Sequence, residues 1–572
     1  MKKLFNYLIY SICFVILSAT TIFSAKLPYP IIFVHGLAGS DETFQRTMDY
    51  FSFHYALGPI NVFDMILNAD NDKSKSIMDE DVKWEDFIFR DTFINLGRRS
   101  FAENMDDFSD GWDAGAPSNI FAINFKEERI RGAKHLFNDY FDQSNQAGIF
   151  KQGKALNVMI NEVLDFTNAE KVILVGHSMG GLAIREYLQR TDENGKHQWW
   201  VSPDSQNGHK VARVVTIGTP HLGSNSWVDP TKKRRHSVRS GVADFNGTSE
   251  SLRDLKYTYD SYPNCNTLNP VGIYLFGGNE HCIAGTENNS AFKNVDINCN
   301  GSETDDIIGL NLGTTFNPDM PLPLDIYYTW IISDSRGGEK WYCAQFNCNN
   351  EPAGDGAVLY DRQWLYENDI SSPAGISYIL YTNEKHLDEG SDYPTIIQAL
   401  DEPDDQHLAY TIELDQTISG IINIQPDGKS VDSDIFKIHN PTPACPSMYR
   451  VSIFCLRNVV QEISVLDSLS QVFSSSSIYE FPYDHTFYTS SSMSEIYINI
   501  KGKPFENSWV YPYTVHISRY PLKIYADFSA DKTSGSSPLT VNFSDQSTAK
   551  YTTISSWHWD FGDGATSNEQ HP

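Results

Sequence analysis

The sequence is short of positive charge. Lys and Arg number 44 against 73 Asp and Glu, a formal net charge of −29. An anionic surface repels polyphosphate, so nucleic acid is excluded as a partner. Cysteine is scarce too: there are eight, none in a CxxC pair, and the spacing that a structural zinc site uses is missing. The amino-terminal apolar run, Leu8 to Phe23, falls short of the ~20 residues that span a bilayer. Apolar residues are not lacking overall. At 40% hydrophobic and 13% aromatic, a largely disordered chain is excluded.

What is present begins with Lys2 and Lys3 ahead of that apolar run, which ends in Ser24 and Ala25. This reads as a signal peptide over residues 1–25 and hence a secreted or cell-surface protein, with an uncleaved anchor as the alternative. Removing Cys13 leaves seven cysteines, an odd number. Cys343 with Cys348 and Cys445 with Cys455 are candidates for local bridges in an oxidising compartment, and connectivity stays open. A chain of 572 residues exceeds one hydrophobic core and divides into domains.

From Tyr29 to about Glu402, short β-branched runs alternate with helical stretches, the pattern of a mainly parallel α/β sheet with helices on both faces. Strands are expected at Ile31–Val34, Ile120–Phe125, Val172–Val175, Val211–Ile217, Ile326–Ser333 and Ile376–Tyr381. Helices are expected at Lys154–Phe166 and Gly181–Arg190. Beyond Glu402 the helical periodicity stops, and alternating segments such as Tyr410–Leu414, Ser433–Ile438, Arg450–Phe454, Glu495–Ile500 and Tyr513–Ile517 predict all-β sandwich modules with cores of their own. Ser474–Ser477 and Ser490–Ser492 read as loops between strands.

The chemistry centres on Gly176-His177-Ser178-Met179-Gly180-Gly181, placed directly after a strand and before a helix. That turn is so tight that glycines must flank the serine, whose hydroxyl is held exposed at the helix start; Ser178 is the candidate nucleophile. Phe33-Val34-His35-Gly36-Leu37 runs a strand into a second turn. There the Leu37 amide, with that of Met179, can form an oxyanion hole, while His35 reads as a structural residue holding the loop. An acid and a base must follow in that order. Asp355, in Gly354-Asp355-Gly356-Ala357-Val358, is the candidate acid with Asp334 its competitor. His386, in Lys385-His386-Leu387-Asp388-Glu389, is the candidate base, ahead of His281 and His407.

At these residues the chain resembles bacterial secreted triacylglycerol lipases. The resemblance rests on His35-Gly36-Leu37, the elbow Gly176 to Gly181, Gly218-Thr219-Pro220-His221, Asp355-Gly356-Ala357-Val358 and His386-Leu387-Asp388-Glu389, in that order. It implies an α/β-hydrolase fold over residues 26–403, hydrolysis of lipid esters, a lipid or ester substrate met at a lipid–water interface, and no organic cofactor. Phospholipase or acyltransferase chemistry by the same triad is the alternative, as is a non-catalytic adhesion or carbohydrate-binding protein. It further implies that Asp388 binds a structural calcium pinning the histidine loop. Thr43–Ser118 and Ser224–Leu324 depart from the family. The second departure holds the basic cluster Lys232-Lys233-Arg234-Arg235, read as a solvated loop or a contact for anionic headgroups. It also holds Asp296, Asn298 and Asn300, whose 1,3,5 spacing before Gly301 suits a calcium loop, although Ile307 stands at the twelfth position where a glutamate is expected.

Residues 404–521 resemble a prepeptidase-type jelly-roll module through Ser419-Gly420-Ile421-Ile422 and Asp432-Ser433-Asp434-Ile435-Phe436. Residues 522–572 resemble a truncated polycystic-kidney-disease (PKD) repeat through Trp557-His558-Trp559-Asp560-Phe561-Gly562-Asp563-Gly564.

Overall fold

The computed structural model describes residues 27–37, 39–54, 60–68, 96–99, 119–128, 148–191, 210–224, 326–333, 377–403, 406–422, 431–441, 446–455, 459–489, 493–503, 511–550 and 552–572, with isolated short stretches between 227 and 363. The signal-peptide segment, Asp334, His281, the calcium-loop residues Asp296, Asn298 and Asn300, Ser490–Ser492 and every cysteine except Cys455, which is buried, lie outside the described residues.

The fold is an α/β-hydrolase sheet followed by β modules. Eight strands form the sheet: β1 (Ile31–Val34), β2 (Ile60–Asn68), β3 (Leu96–Arg99), β4 (Ile120–Glu128), β5 (Val172–His177), β6 (Val211–Ile217), β7 (Tyr327–Ser333) and β8 (Ser377–Thr382). Their spatial order is β8-β7-β6-β5-β1-β4-β2-β3, parallel throughout except for β3 against β2. The central strands are buried on both faces, as a covered parallel sheet requires.

Strand periodicity sorts their side chains. Ile32, Val34, Phe121, Ile123 and Leu174 point to one face, where α2 (Ile149–Thr167) and α3 (Met179–Gln189) lie. Ile31, Phe33, Ile120, Ala122, Ile173 and Val175 point to the other, against α1 (Gln45–His54) and α4 (Tyr393–Ala399). Helix α2 ends where Asn168 takes the left-handed conformation, φ 54°. Helix α3 is buried along its whole length, and its Glu186 is neutralised by the Arg190 that follows the helix, whose Nε and Nη2 reach the carboxylate at 2.6 and 2.8 Å.

After α4 the chain enters a two-sheet sandwich. One sheet runs in the order 410–411, 433–439, 495–502, 460–466, 472–477, and the other 417–422, 511–521, 447–454, 483–489. Burial alternates along Ser447–Phe454, which turns Tyr449, Val451 and Ile453 inward. The final residues make three short antiparallel pairs around Phe528, Phe543, Trp559 and Phe561.

Four points differ from the sequence reading or add to it. Ser474–Ser477 is not a loop but part of the edge strand Val472–Ser477, paired to Val460–Leu466; one side of an edge strand stays in water, where serine is tolerated. The departure Thr43–Ser118 supplies α1, β2 and β3. The sandwich does not keep a core to itself. One continuous apolar cluster runs from Phe33 and Ile396 through Tyr410 and Ile412 into Ile418, Phe436 and Val451. At this seam the Tyr29 hydroxyl accepts from the Thr411 amide at 2.8 Å, and the Arg213 guanidinium donates to the Tyr410 hydroxyl at 3.0 Å and to the Ala399 carbonyl. Within Ser224–Leu324, Arg234–His236 pairs with Trp227–Asp229 as a short hairpin, which puts Arg234 and Arg235 in a strand.

Candidate active site

Ser178 sits between β5 and α3 with φ 53° and ψ −127°, a conformation that side chains rarely adopt. Its amide is spent on the Ile217 carbonyl at 2.9 Å, which ties the turn to β6. The strain is held by packing on every side and presents the hydroxyl at the start of α3. The turn carrying Leu37 lies directly against it: a Cβ on Gly36 would stand 2.6 Å from the Ser178 Cβ, so only glycine lets the two turns approach. Met179, the first residue of α3, belongs to the helical turn whose amides lack intrahelical acceptors.

The structure brings Ser178, His386 and Asp355 into one line of hydrogen bonds. The Ser178 Oγ is 2.9 Å from His386 Nε2, and His386 Nδ1 is 2.9 Å from Asp355 Oδ2. The other Asp355 oxygen accepts from the amides of Ala357 and Val358, at 2.8 and 2.7 Å. These bonds fix the carboxylate, and the His386 amide donates to the Asp355 carbonyl at 3.1 Å, so the two loops are stitched by backbone as well. Nδ1 therefore carries the proton given to Asp355, and Nε2 faces the serine as an acceptor.

The sequence did not single out the carboxylate of Glu389. It is fully buried, 3.3 Å from His386 Nδ1 and 3.4 Å from His177 Nε2. Its place depends on Gly218, φ 53°, where a Cβ would come within 1.9 Å of Glu389 Oε2. The signal was available: Glu389 follows His386 by three residues in a turn, a spacing that folds the second side chain back beneath the first. Burial alone would push the His386 imidazole down, but Asp355 and then Glu389 outweigh it, and its pKa is raised. Burial pushes the Asp355 carboxyl up, while the two histidines beside Glu389 overcome burial and hold it down, ionised. Two buried carboxylates thus favour the imidazolium that forms when His386 takes a proton.

Gln363 is a support that the sequence did not single out, while His35 takes the structural place expected of it. Gln363 donates to the carbonyls of Ser333 and Val358 and accepts from the Ser333 amide at 2.7 Å, joining the end of β7 to the Asp355 loop. His35 accepts from the Phe125 amide at Nε2, 2.9 Å, and gives its Nδ1 proton to the Gly36 carbonyl, also 2.9 Å. Burial pushes its pKa down to about 4, so this histidine is a neutral strut under the Leu37 turn. The Gly218–His221 turn is closed by a Thr216–His221 contact of 3.0 Å. His407 lies outside the bonded line, in the turn Gln406–Leu408 ahead of the sandwich. Asp388 is exposed and belongs to neither cluster of three metal-ligating side chains among the described residues.

Residues 144–233 match the profile of the lecithin:cholesterol acyltransferase family. That span carries α2, the elbow and the Gly218–His221 turn. A lipase of Staphylococcus epidermidis is 26% identical over 174 residues, which cover 27% of this chain and 23% of that protein. Lipase 1 of Staphylococcus aureus is 37% identical over 73 residues, 11% of each chain. The chain thus spans about a quarter, or less, of the length of these relatives. Among solved structures, the propeptide form of a Bacillus licheniformis lipase aligns over 96% of this chain and 98% of that one, at 12% identity and a TM-score of 0.27.

Proposed function

We propose that this chain is a secreted serine hydrolase of lipid carboxylic esters. The reading rests first on the unbroken line Ser178–His386–Asp355 at a strained strand-to-helix turn. His386 takes the Ser178 proton as the hydroxyl attacks the ester carbonyl. Asp355 holds the ring and steadies the imidazolium. The Leu37 and Met179 amides receive the oxyanion, a contribution worth ~10²–10³ in rate per donor. His386 then protonates the leaving alcohol, and water repeats the sequence on the acyl-enzyme. Asp388 as a calcium ligand rests on the lipase resemblance alone.

The family matched at residues 144–233 favours one further reading, acyl transfer to an alcohol in place of water, since the same acyl-enzyme serves both. One experiment separates them. Release of p-nitrophenol from esters of increasing chain length is followed with and without a lipid interface, then with a sterol or glycerol acceptor present. Hydrolysis that rises with chain length and at the interface supports the lipase reading. An ester product formed at the expense of free acid moves the assignment to transfer, and no turnover on any ester contradicts both.

A further inference from the structure

His177 is the residue before the nucleophile, and its ring reaches the loop that carries the base. It closes β5, lies opposite Ile217 of β6 and is buried. Its Nε2 stands 2.7 Å from the main-chain carbonyl oxygen of His386. A carbonyl oxygen only accepts, so the ring proton sits on Nε2 and is donated to it. The ring is boxed by its neighbours. It lies 4.8 Å from the His386 ring and meets Phe44 edge-on at 6.3 Å, and Nε2 is also 3.4 Å from the Glu389 carboxylate.

Among the described residues, three side chains hold main-chain carbonyls of the loop around His386. The Ser333 hydroxyl, at the end of β7, donates to the Glu384 carbonyl at 2.5 Å, and the Thr47 hydroxyl of α1 donates to the Gly390 carbonyl at 2.7 Å. The third is His177, and it alone comes from the turn that carries the nucleophile. Inside the loop the amides of Asp388 and Glu389 both go to the Lys385 carbonyl, which leaves the next carbonyl, that of His386, to a side chain. One dipeptide thus holds the base at two points: Ser178 Oγ meets the ring at 2.9 Å, and His177 meets the backbone behind it. The second His177 nitrogen, Nδ1, is buried without a hydrogen-bond partner. An apolar ring of the same size would fill the space without that cost, so the N–H bond is what this histidine adds.

We propose that His177 is a positioning residue: through its bond to the His386 carbonyl it sets where the base stands relative to the Ser178 hydroxyl, a role that rests on the serine-hydrolase reading above. Proton transfer needs Nε2 of His386 and Oγ of Ser178 within hydrogen-bond reach. A base anchored only by Ser333 and Thr47 would take its place from β7 and α1, and small shifts of those elements would pass directly into the reacting distance. The His177 bond instead refers base and nucleophile to the same strand end. A misplacement of about 1 Å costs on the order of 10² in rate. No substrate contact is assigned to His177, so its loss falls on kcat and leaves KM in place.

Variants of the full chain separate the bond from the bulk. His177→Phe keeps a ring and removes the donor, His177→Leu removes both, and His177→Gln restores an N–H at the same number of bonds from the backbone. On p-nitrophenyl esters, kcat is expected to fall about 10- to 100-fold in His177→Phe and His177→Leu with KM within about twofold, and to recover to within about fivefold of the parent in His177→Gln. A folded His177→Phe or His177→Leu protein with parental kcat overturns the proposal, as does a His177→Gln protein as slow as His177→Phe. The His177→Phe loss persists in a Glu389→Gln background; a loss that vanishes there assigns the effect to the carboxylate contact and overturns the carbonyl bond. Hydrogen exchange of a peptide covering 384–391 reads the same tether without turnover. Exchange is faster in His177→Phe than in the parent and slower again in His177→Gln, and equal exchange in all three contradicts the proposal. A parent that turns over no ester contradicts the hydrolase reading instead, and the exchange comparison keeps the two failures apart.

Discussion

The Glu389 carboxylate lies 3.3 Å from Nδ1 of His386, the nitrogen that Asp355 engages at 2.9 Å. Both charges raise the imidazole pKa, and both are buried with it.

That arrangement fixes the sign of a pH effect. His386 accepts a proton only when neutral, so kcat/KM falls as pH drops through its pKa, and the acid limb lies above the ordinary histidine range near ~6.5. Glu389→Gln removes one of the two charges and moves the limb to lower pH. Asp355→Asn removes the other and also costs about 10³–10⁴ in kcat, because the tautomer is no longer held. A Glu389→Gln profile superimposable on the parent would show that the second carboxylate is electrostatically silent.

Gly218→Ala tests the same carboxylate sterically. The new Cβ would meet Glu389 Oε2 at 1.9 Å on a backbone at φ 53°. Left-handed strain and overpacking together predict a loss of about 2 kcal/mol or more, read by urea denaturation. Unchanged stability would contradict the tight fit.

His35 is held neutral with a pKa pushed down to about 4. The unfolded chain takes up this proton near ~6.5, so the His35 share of stability is full above that value and declines as pH falls toward about 4, by up to roughly 3 kcal/mol. Comparing parent with His35→Gln isolates this share from other titrating groups. The variant has a shallower acid decline over that window; equal slopes would refute the assignment.

Shortening the chain to end at Asp404 uncovers Tyr29 and Arg213, which the Tyr410 segment covers. Because the apolar cluster is continuous across the seam, the shortened protein melts well below the parent and exposes dye-binding apolar surface. Equal melting temperatures would mean that each unit is stable alone.

Much of this was legible in the residues. The β5 run Val172–Val175 followed by Gly176-His177-Ser178 announces its turn because the local chemistry admits few other conformations. Chain order after Ser178 narrows the acid to Asp355 or Asp334 and puts His386 ahead of His281 and His407, and only the fold joins Asp355 to His386. Glu389 was harder: its spacing from His386 was visible, yet its burial depends on Gly218, 171 positions earlier in the chain. Strand Ile60–Asn68 lies in the departure Thr43–Ser118, where no pattern was recognised; it pairs with β4 in parallel and with β3 in antiparallel. Val472–Ser477 carries serines where a strand usually shows β-branched residues, and only its edge position makes that affordable.

The most direct measurement is covalent. A fluorophosphonate ester reacts only with a serine whose hydroxyl is activated by a neighbouring base, and peptide mass spectrometry locates the adduct. One phosphonyl group is expected on the peptide carrying Ser178. It is absent in folded Ser178→Ala and strongly slowed in His386→Ala, with ester hydrolysis lost in parallel. Labelling at another serine, or hydrolysis that survives Ser178→Ala with the circular dichroism spectrum intact, would contradict the account.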